Sequence, residues 1–182
     1  MFSPSVIPLK HGLQTQPILD NLEQPIYQNL SKKMAQTFNS KIEHIAVAYK
    51  RLLNINVTDS SLQRDIEENP FYPTLLSISD TFDRYNINNA AYNVPIEQFD
   101  ELEAPFIAMM DIPVVGNDFV LVTEITDKTV SYLYHKNKPE KIERIKFFER
   151  FQHTAFVAEP DENSGENDYA DRIKKEQHPM AW

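Results

Sequence analysis

The chain has 182 residues, 41% of them hydrophobic, with a formal net charge of −9, no cysteine and three glycines. At roughly 150 residues per domain, that length suits one domain with a real core plus tails. The absence of cysteine excludes disulfides, thiolate metal sites, iron–sulfur clusters and a cysteine nucleophile, and fits a reducing compartment. Gly12, Gly116 and Gly165 lie too far apart to build a glycine-rich phosphate turn, and the acidic balance opposes a general nucleic-acid partner.

Residues 1–20, with Pro4, Pro8, Gly12 and Pro17, read as an irregular arm. They carry no signal-peptide pattern, and no run in the chain reaches the ~18 apolar residues of a membrane span. A soluble cytoplasmic chain is expected. Leu22, Ile26, Leu30, Met34 and Phe38 recur every four residues and predict an amphipathic helix. Ile42, Ile45, Ala46, Tyr49, Leu52 and Leu53 predict a second helix over 40–54, capped by Asn39 or Ser40. A short helix is expected from Thr58 or Asp59 to Asn69. Pro73 is placed at the first position of another helix, whose buried face is Leu76, Ser79, Phe82 and Tyr85, with Leu75 and Ile78 beside it.

Beyond residue 88 the period shortens. Strands are predicted at 90–94, 105–110, 118–125, 129–135 and 153–159, with a helical turn at 95–102. The run 118–125 (DFVLVTEI) is the strongest, and the turn at Asp127-Lys128 joins it to 129–135 as an antiparallel hairpin. Lys141–Phe151 (KIERIKFFERF) reads as a basic, aromatic amphipathic helix on a sheet rather than a nucleic-acid or membrane surface. Residues 161–177 are polar and read as a solvated tail. Helices followed by strands indicate an α+β fold, with helices packed on one face of an antiparallel sheet.

The five histidines, His11, His44, His135, His153 and His178, have no metal-ligand spacing, so no metal site and no cofactor is expected. The acidic pairs Glu67-Glu68 and Asp100-Glu101 read as solvated helix surface. Ser40 and His44 share a helix face, which is the one local arrangement that resembles a nucleophile and its base. The plainer assignment is a helix cap and a surface histidine.

Three stretches carry a family likeness: Glu68–Asp80 (ENPFYPTLLSISD), Pro105–Ala108 with Asp118–Val122, and Phe156–Pro160 with Glu162–Glu166. Together they resemble the papain-like cysteine peptidase domains, peptidase C39-like, that cleave double-glycine leaders from bacteriocin precursors. The likeness is greatest to the copies fused to vitamin K epoxide reductase-type oxidoreductases, and it spans roughly residues 40–165. It implies a papain-like fold and division into an arm with an extra helix (1–38), a peptidase-like domain (39–160) and a polar tail or linker (161–182).

The resemblance places the family's cysteine near Asn39-Ser40-Lys41, its histidine at Asp118 and its acidic residue near Tyr134-His135. Every catalytic position is then substituted, at Ser40, Lys41, Asp118 and Tyr134. It implies an inactive domain that binds a peptide or partner protein along Asn39, Ser40, Tyr72, Asn117, Asp118 and Phe119. The implied partners are a leader peptide or a membrane transporter or oxidoreductase. The implied location is cytoplasmic, with a tether to the inner membrane in a longer protein. Two alternatives stay open: a serine-type hydrolase using Ser40 and His44, and a structural or regulatory cytoplasmic module of a membrane protein whose groove is filled by the arm 1–20.

Overall fold

The computed structural model describes residues 41–134 and 139–177. The helix expected over 22–38 therefore lies outside the described residues, as do Asn39, Ser40 and His135. Helices α1 (Ile42–Leu52), α2 (Asp59–Glu67) and α3 (Leu75–Arg84) come first. Strand β1 (Asn88–Asn93) and a 3-10 helix (Ile96–Glu101) follow, then β2 (Phe106–Ile112), β3 (Gly116–Ile125) and β4 (Thr129–Leu133). The chain continues through β5 (Glu140–Glu143), α4 (Arg144–Arg150), β6 (Phe151–Glu159) and α5 (Tyr169–Gln177).

The six strands form one sheet in the order β1-β6-β2-β3-β4-β5, every pairing antiparallel. Alternation along the strands sends side chains to two cores. On one face Ile107, Phe119, Leu121 and Phe156 meet Ile45, Tyr49, Ile66, Ile78 and Phe82 of the first three helices. Tyr49, Phe82 and Phe156 form an aromatic triangle with ring centroids 5.9–6.4 Å apart. The Tyr49 hydroxyl, buried with its ring, accepts a 2.8 Å hydrogen bond from Ala158 N and so ties α1 to β6. On the other face Phe106, Ala108, Met110, Val120 and Val122 meet Phe99, Phe147 and Phe151. Phe99 is the hub, within 6.0 Å of Phe106, Phe147, Phe148 and Phe151. Each fully buried ring contributes roughly 1.5–3 kcal/mol of transfer free energy.

The sheet is thus covered on both faces, not on one. Three further expectations change. Pro73 does not open α3: Thr74 is its N-cap, and the buried stripe is Leu75, Ile78, Ser79 and Phe82, with Leu76 only half-buried. Lys141–Phe151 is not one helix: 140–143 pairs with Thr129–Tyr132 as an edge strand, and helix forms only over 144–150. The stretch 161–177 contains α5. Gly165 bridges to Asn56, Gly165 N donates to Tyr85 O (2.8 Å), and Glu166 accepts from Thr58 N (3.0 Å), all at the helix ends. No helix among the described residues is long and apolar enough to cross a membrane.

Candidate functional site

The antiparallel register puts four of the residues selected from the sequence, Asn117, Asp118, Phe119 and Tyr134, at one end of the sheet. β2 ends there, β3 begins, β4 ends and β6 begins. Asp118, near the start of β3, is fully buried at this rim. It stands opposite Met110, whose side chain belongs to the core on the far side of the sheet from α1. Asp118 therefore shares that face. One oxygen accepts from Phe119 N (2.8 Å) and the other from the Tyr134 hydroxyl (2.9 Å). The two residues that the family likeness singles out on neighbouring strands are thus in direct contact. Burial, then the hydrogen bond and negative charge of Asp118, push the Tyr134 phenol well above its usual range. A neutral phenol donating to a carboxylate holds that carboxylate in place. It does not supply a proton acceptor suited to activating a nucleophile near pH 7.

Lys41 is the exposed N-cap of α1, on the other side of the sheet from the Asp118 side chain. Asn117 is exposed and pairs with Asp111, on the α1 face. Phe119 is on that face too, but buried in the core. The sheet thus separates the Asp118–Tyr134 pair from Lys41, Asn117 and Phe119. His44 is exposed on α1, with no carboxylate within hydrogen-bond distance among the described residues. The orienting acid that a Ser40–His44 pair needs is not beside it there.

Tyr72 is more than a third exposed, and its hydroxyl donates to Glu43 (2.9 Å) in the first turn of α1. Glu43 is buried. Burial and the Glu43 hydrogen bond and charge push the Tyr72 phenol up to about 12. Sequence pattern did not single out Glu43, although a signal exists: a carboxylate sits between Ile42 and Ile45 on the apolar stripe of α1. A second feature coincides in part with the family-like stretch Glu162–Glu166, which the sequence did not mark as a site. An open depression of about 550 Å³, lined by Asn56, Asn86, Ser164, Gly165, Glu166 and Tyr169, lies at the opposite end of the sheet. It is polar and far from Asp118. Among the described residues no group of three or more His, Asp or Glu side chains is arranged to hold a metal ion.

Helices packed against an antiparallel sheet recur in solved peptidase domains. The structure is similar to the peptidase domain of Streptococcus ComA, a bifunctional ABC transporter of a quorum-sensing pathway. The TM-score is 0.54 at 14% identity, over 64% of this chain and 88% of that one. It is similar also to a double glycine motif protease from an AMS/PCAT transporter, solved in complex with the leader peptide. There the TM-score is 0.55 at 14% identity, over 68% of this chain and 89% of the other. At such identity these likenesses speak for the fold, a papain-like arrangement of helices on an antiparallel sheet. No curated protein matches the chain. The model of the Peptidase C39 family matches residues 45–163, which include most of α1, both cores and the whole sheet. The chain therefore belongs to the Peptidase C39 family.

Proposed function

We propose that this domain is a C39 peptidase-like module that has lost peptide-bond hydrolysis and binds a polypeptide, as an accessory to peptide export and maturation or to thiol-oxidoreductase machinery. One observation carries the reading: the chain contains no cysteine, whereas a papain-like cysteine peptidase works through a thiolate. The companion positions support it. Asp118 is buried and bonded to Tyr134, and Lys41 lies across the sheet. In favour of binding an extended chain are a sheet rim with an exposed polar residue, Asn117, and an exposed phenol, Tyr72. The relative solved with its leader peptide suggests the ligand class, a peptide ending in a double glycine. The acidic balance of the chain favours basic or neutral peptides.

The test uses the purified full chain and fluorescein-labelled double-glycine leader peptides. Saturable binding, with the peptides intact by mass spectrometry after prolonged incubation, is the expected result. Cleavage at a single site that is abolished by Ser40→Ala would overturn the loss of hydrolysis. Absence of saturable binding to any such peptide would overturn the binding role.

A further inference from the structure

The turn between β2 and β3 departs from the rules that the rest of the fold obeys. Val115 N donates to Ile112 O (3.0 Å), closing a β-turn with Pro113 and Val114 at its centre. Val114 has φ of 72°. A positive φ at the second central position is the mark of a type II turn, where glycine or asparagine is the usual residue. A β-branched side chain is among the least suited to it. Packing offers nothing in return, because Val114 is fully exposed at 108% relative accessibility. The residue is unfavourable for its backbone and leaves an apolar side chain in water.

The place of this conflict matters. Non-glycine positive φ among the described residues occurs at Asn54, Asn86, Val114 and His153. Asparagine and histidine adopt the conformation more readily than other side chains, so the costly case is Val114. Val114 and His153 both lie at the sheet end that carries Asp118 and Tyr134. His153 is exposed and sits on β6, beside β2, where the register breaks between Ala108 and Met110. Bulges and strained residues gather at functional rims, where another gain offsets the strain. Asn117, the exposed polar residue of the same rim, lies just beyond Val114 along the hairpin.

We infer that the hairpin tip Pro113–Val115 is an apolar contact of the peptide site, with Val114 covered by an apolar side chain of the bound peptide. The inference rests on the proposed peptide-binding function and locates its specificity. An acidic surface selects by charge at long range. The tip adds selection for an apolar side chain at short range.

The experiment compares the wild-type chain with Val114→Asn, which suits the turn and removes the exposed methyls. The probes are a labelled double-glycine leader peptide and its analogue with every apolar residue replaced by serine. Val114→Asn is expected to raise Tm by about 2–4 °C through relief of strain. It is expected to weaken binding of the apolar peptide roughly ten-fold, the scale of one buried valine side chain, and to leave the serine analogue's binding unchanged. Equal affinity of wild type and variant for the apolar peptide would overturn the inference while leaving peptide binding intact. A lower Tm in the variant would also overturn it, since Val114 would then be serving the fold. A wild-type dimer that dissociates in the variant would assign the tip to a second copy of the chain instead. No binding by the wild type would overturn both this inference and the proposed function.

Discussion

Single residues show how narrowly the fold is built. Gly165 has φ of 123°, and a Cβ placed there would lie 2.7 Å from Asn56 O. The chain passes so close because Gly165 N must reach Tyr85 O while Glu166 N reaches Asn56 O. A side chain would force these backbones apart. Gly165→Ala is therefore expected to destabilise the protein by roughly 2 kcal/mol, read as a fall in Tm of roughly 4–8 °C in thermal unfolding. An unchanged Tm would show that the crossing relaxes without cost. The glycine was visible in the sequence, but its role was not. Nothing local distinguishes it from a linker glycine, because the atom it would strike belongs to Asn56, far earlier in the chain.

At the scale of elements, the α1–α2 junction is held by charge in a largely apolar setting. Lys50, in the last turn of α1, is nearly buried, and its ammonium donates to Val57 O and meets Asp59 at 2.7 Å. Arg51 meets the other oxygen of Asp59. Burial opposes ionisation of Asp59, but the hydrogen bonds and charges of Arg51 and Lys50 outweigh it and hold its carboxyl below the ordinary value. The folded state therefore binds a proton there less readily than the unfolded chain. This contribution to stability is complete above the unfolded pKa of ~4 and is lost as pH falls through the depressed folded value. Asp59→Asn is expected to cost about 1–2 kcal/mol at neutral pH, an amount reduced by the partial exposure of Asp59. It should also flatten the acid limb of a stability profile measured by urea denaturation from about pH 3 to 7. An equally steep limb in the variant would assign the acid sensitivity to other carboxylates.

Elements also show where patterns in the sequence stop being informative. Residues 118–125 were legible as a strand because β-branched residues dominate and glycine and threonine bound them. Lys141–Phe151 was misleading for a definite reason. Its apolar spacing fits a helix, yet 140–143 meets the free edge of β4, and the hydrogen bonds of that pairing outweigh the local preference. The polar stretch 161–177 misleads in the same way. Asp168 and Arg172, four apart with contacts of 2.9 Å, support helix α5, and Arg172 reaches Ser61 on α2 at 3.0 Å.

For the whole molecule, the phenols are the most coherent group. Burial, the largest cause in each case, pushes Tyr49, Tyr72, Tyr85, Tyr92, Tyr132 and Tyr134 upward. Neighbouring carboxylates add to the effect, with Asp65 bonded to Tyr85 at 2.7 Å and Asp118 to Tyr134 at 2.9 Å. The folded protein thus prefers neutral phenols to a higher pH than the unfolded chain does. This stability is fully present below the unfolded value of ~10 and declines as pH rises beyond it. In an alkaline titration followed by tyrosinate absorbance, most phenols should lag behind free tyrosine. They should then ionise together in a cooperative step that coincides with loss of the circular dichroism signal. Independent ionisation at ordinary pH, with the fold intact, would contradict this.

What the sequence determined by itself was the order of helices and strands from α1 to β4, the α+β class, the family likeness and the absence of a thiol. Each depends on short-range pattern or on plain composition, and each can be read without knowing what packs on what. The two-faced cover of the sheet, the contact between Asp118 and Tyr134, the separation of that pair from Lys41, and the burial of Glu43 beneath Tyr72 were decided only by tertiary structure. They follow from strand register and side-chain parity, where a shift of one residue moves a side chain from one face of the sheet to the other. The missing cysteine was evident from composition alone. The strained apolar tip at Val114 needed the backbone, because a turn's φ belongs to its closure by Ile112 and Val115 and not to the identity of the valine.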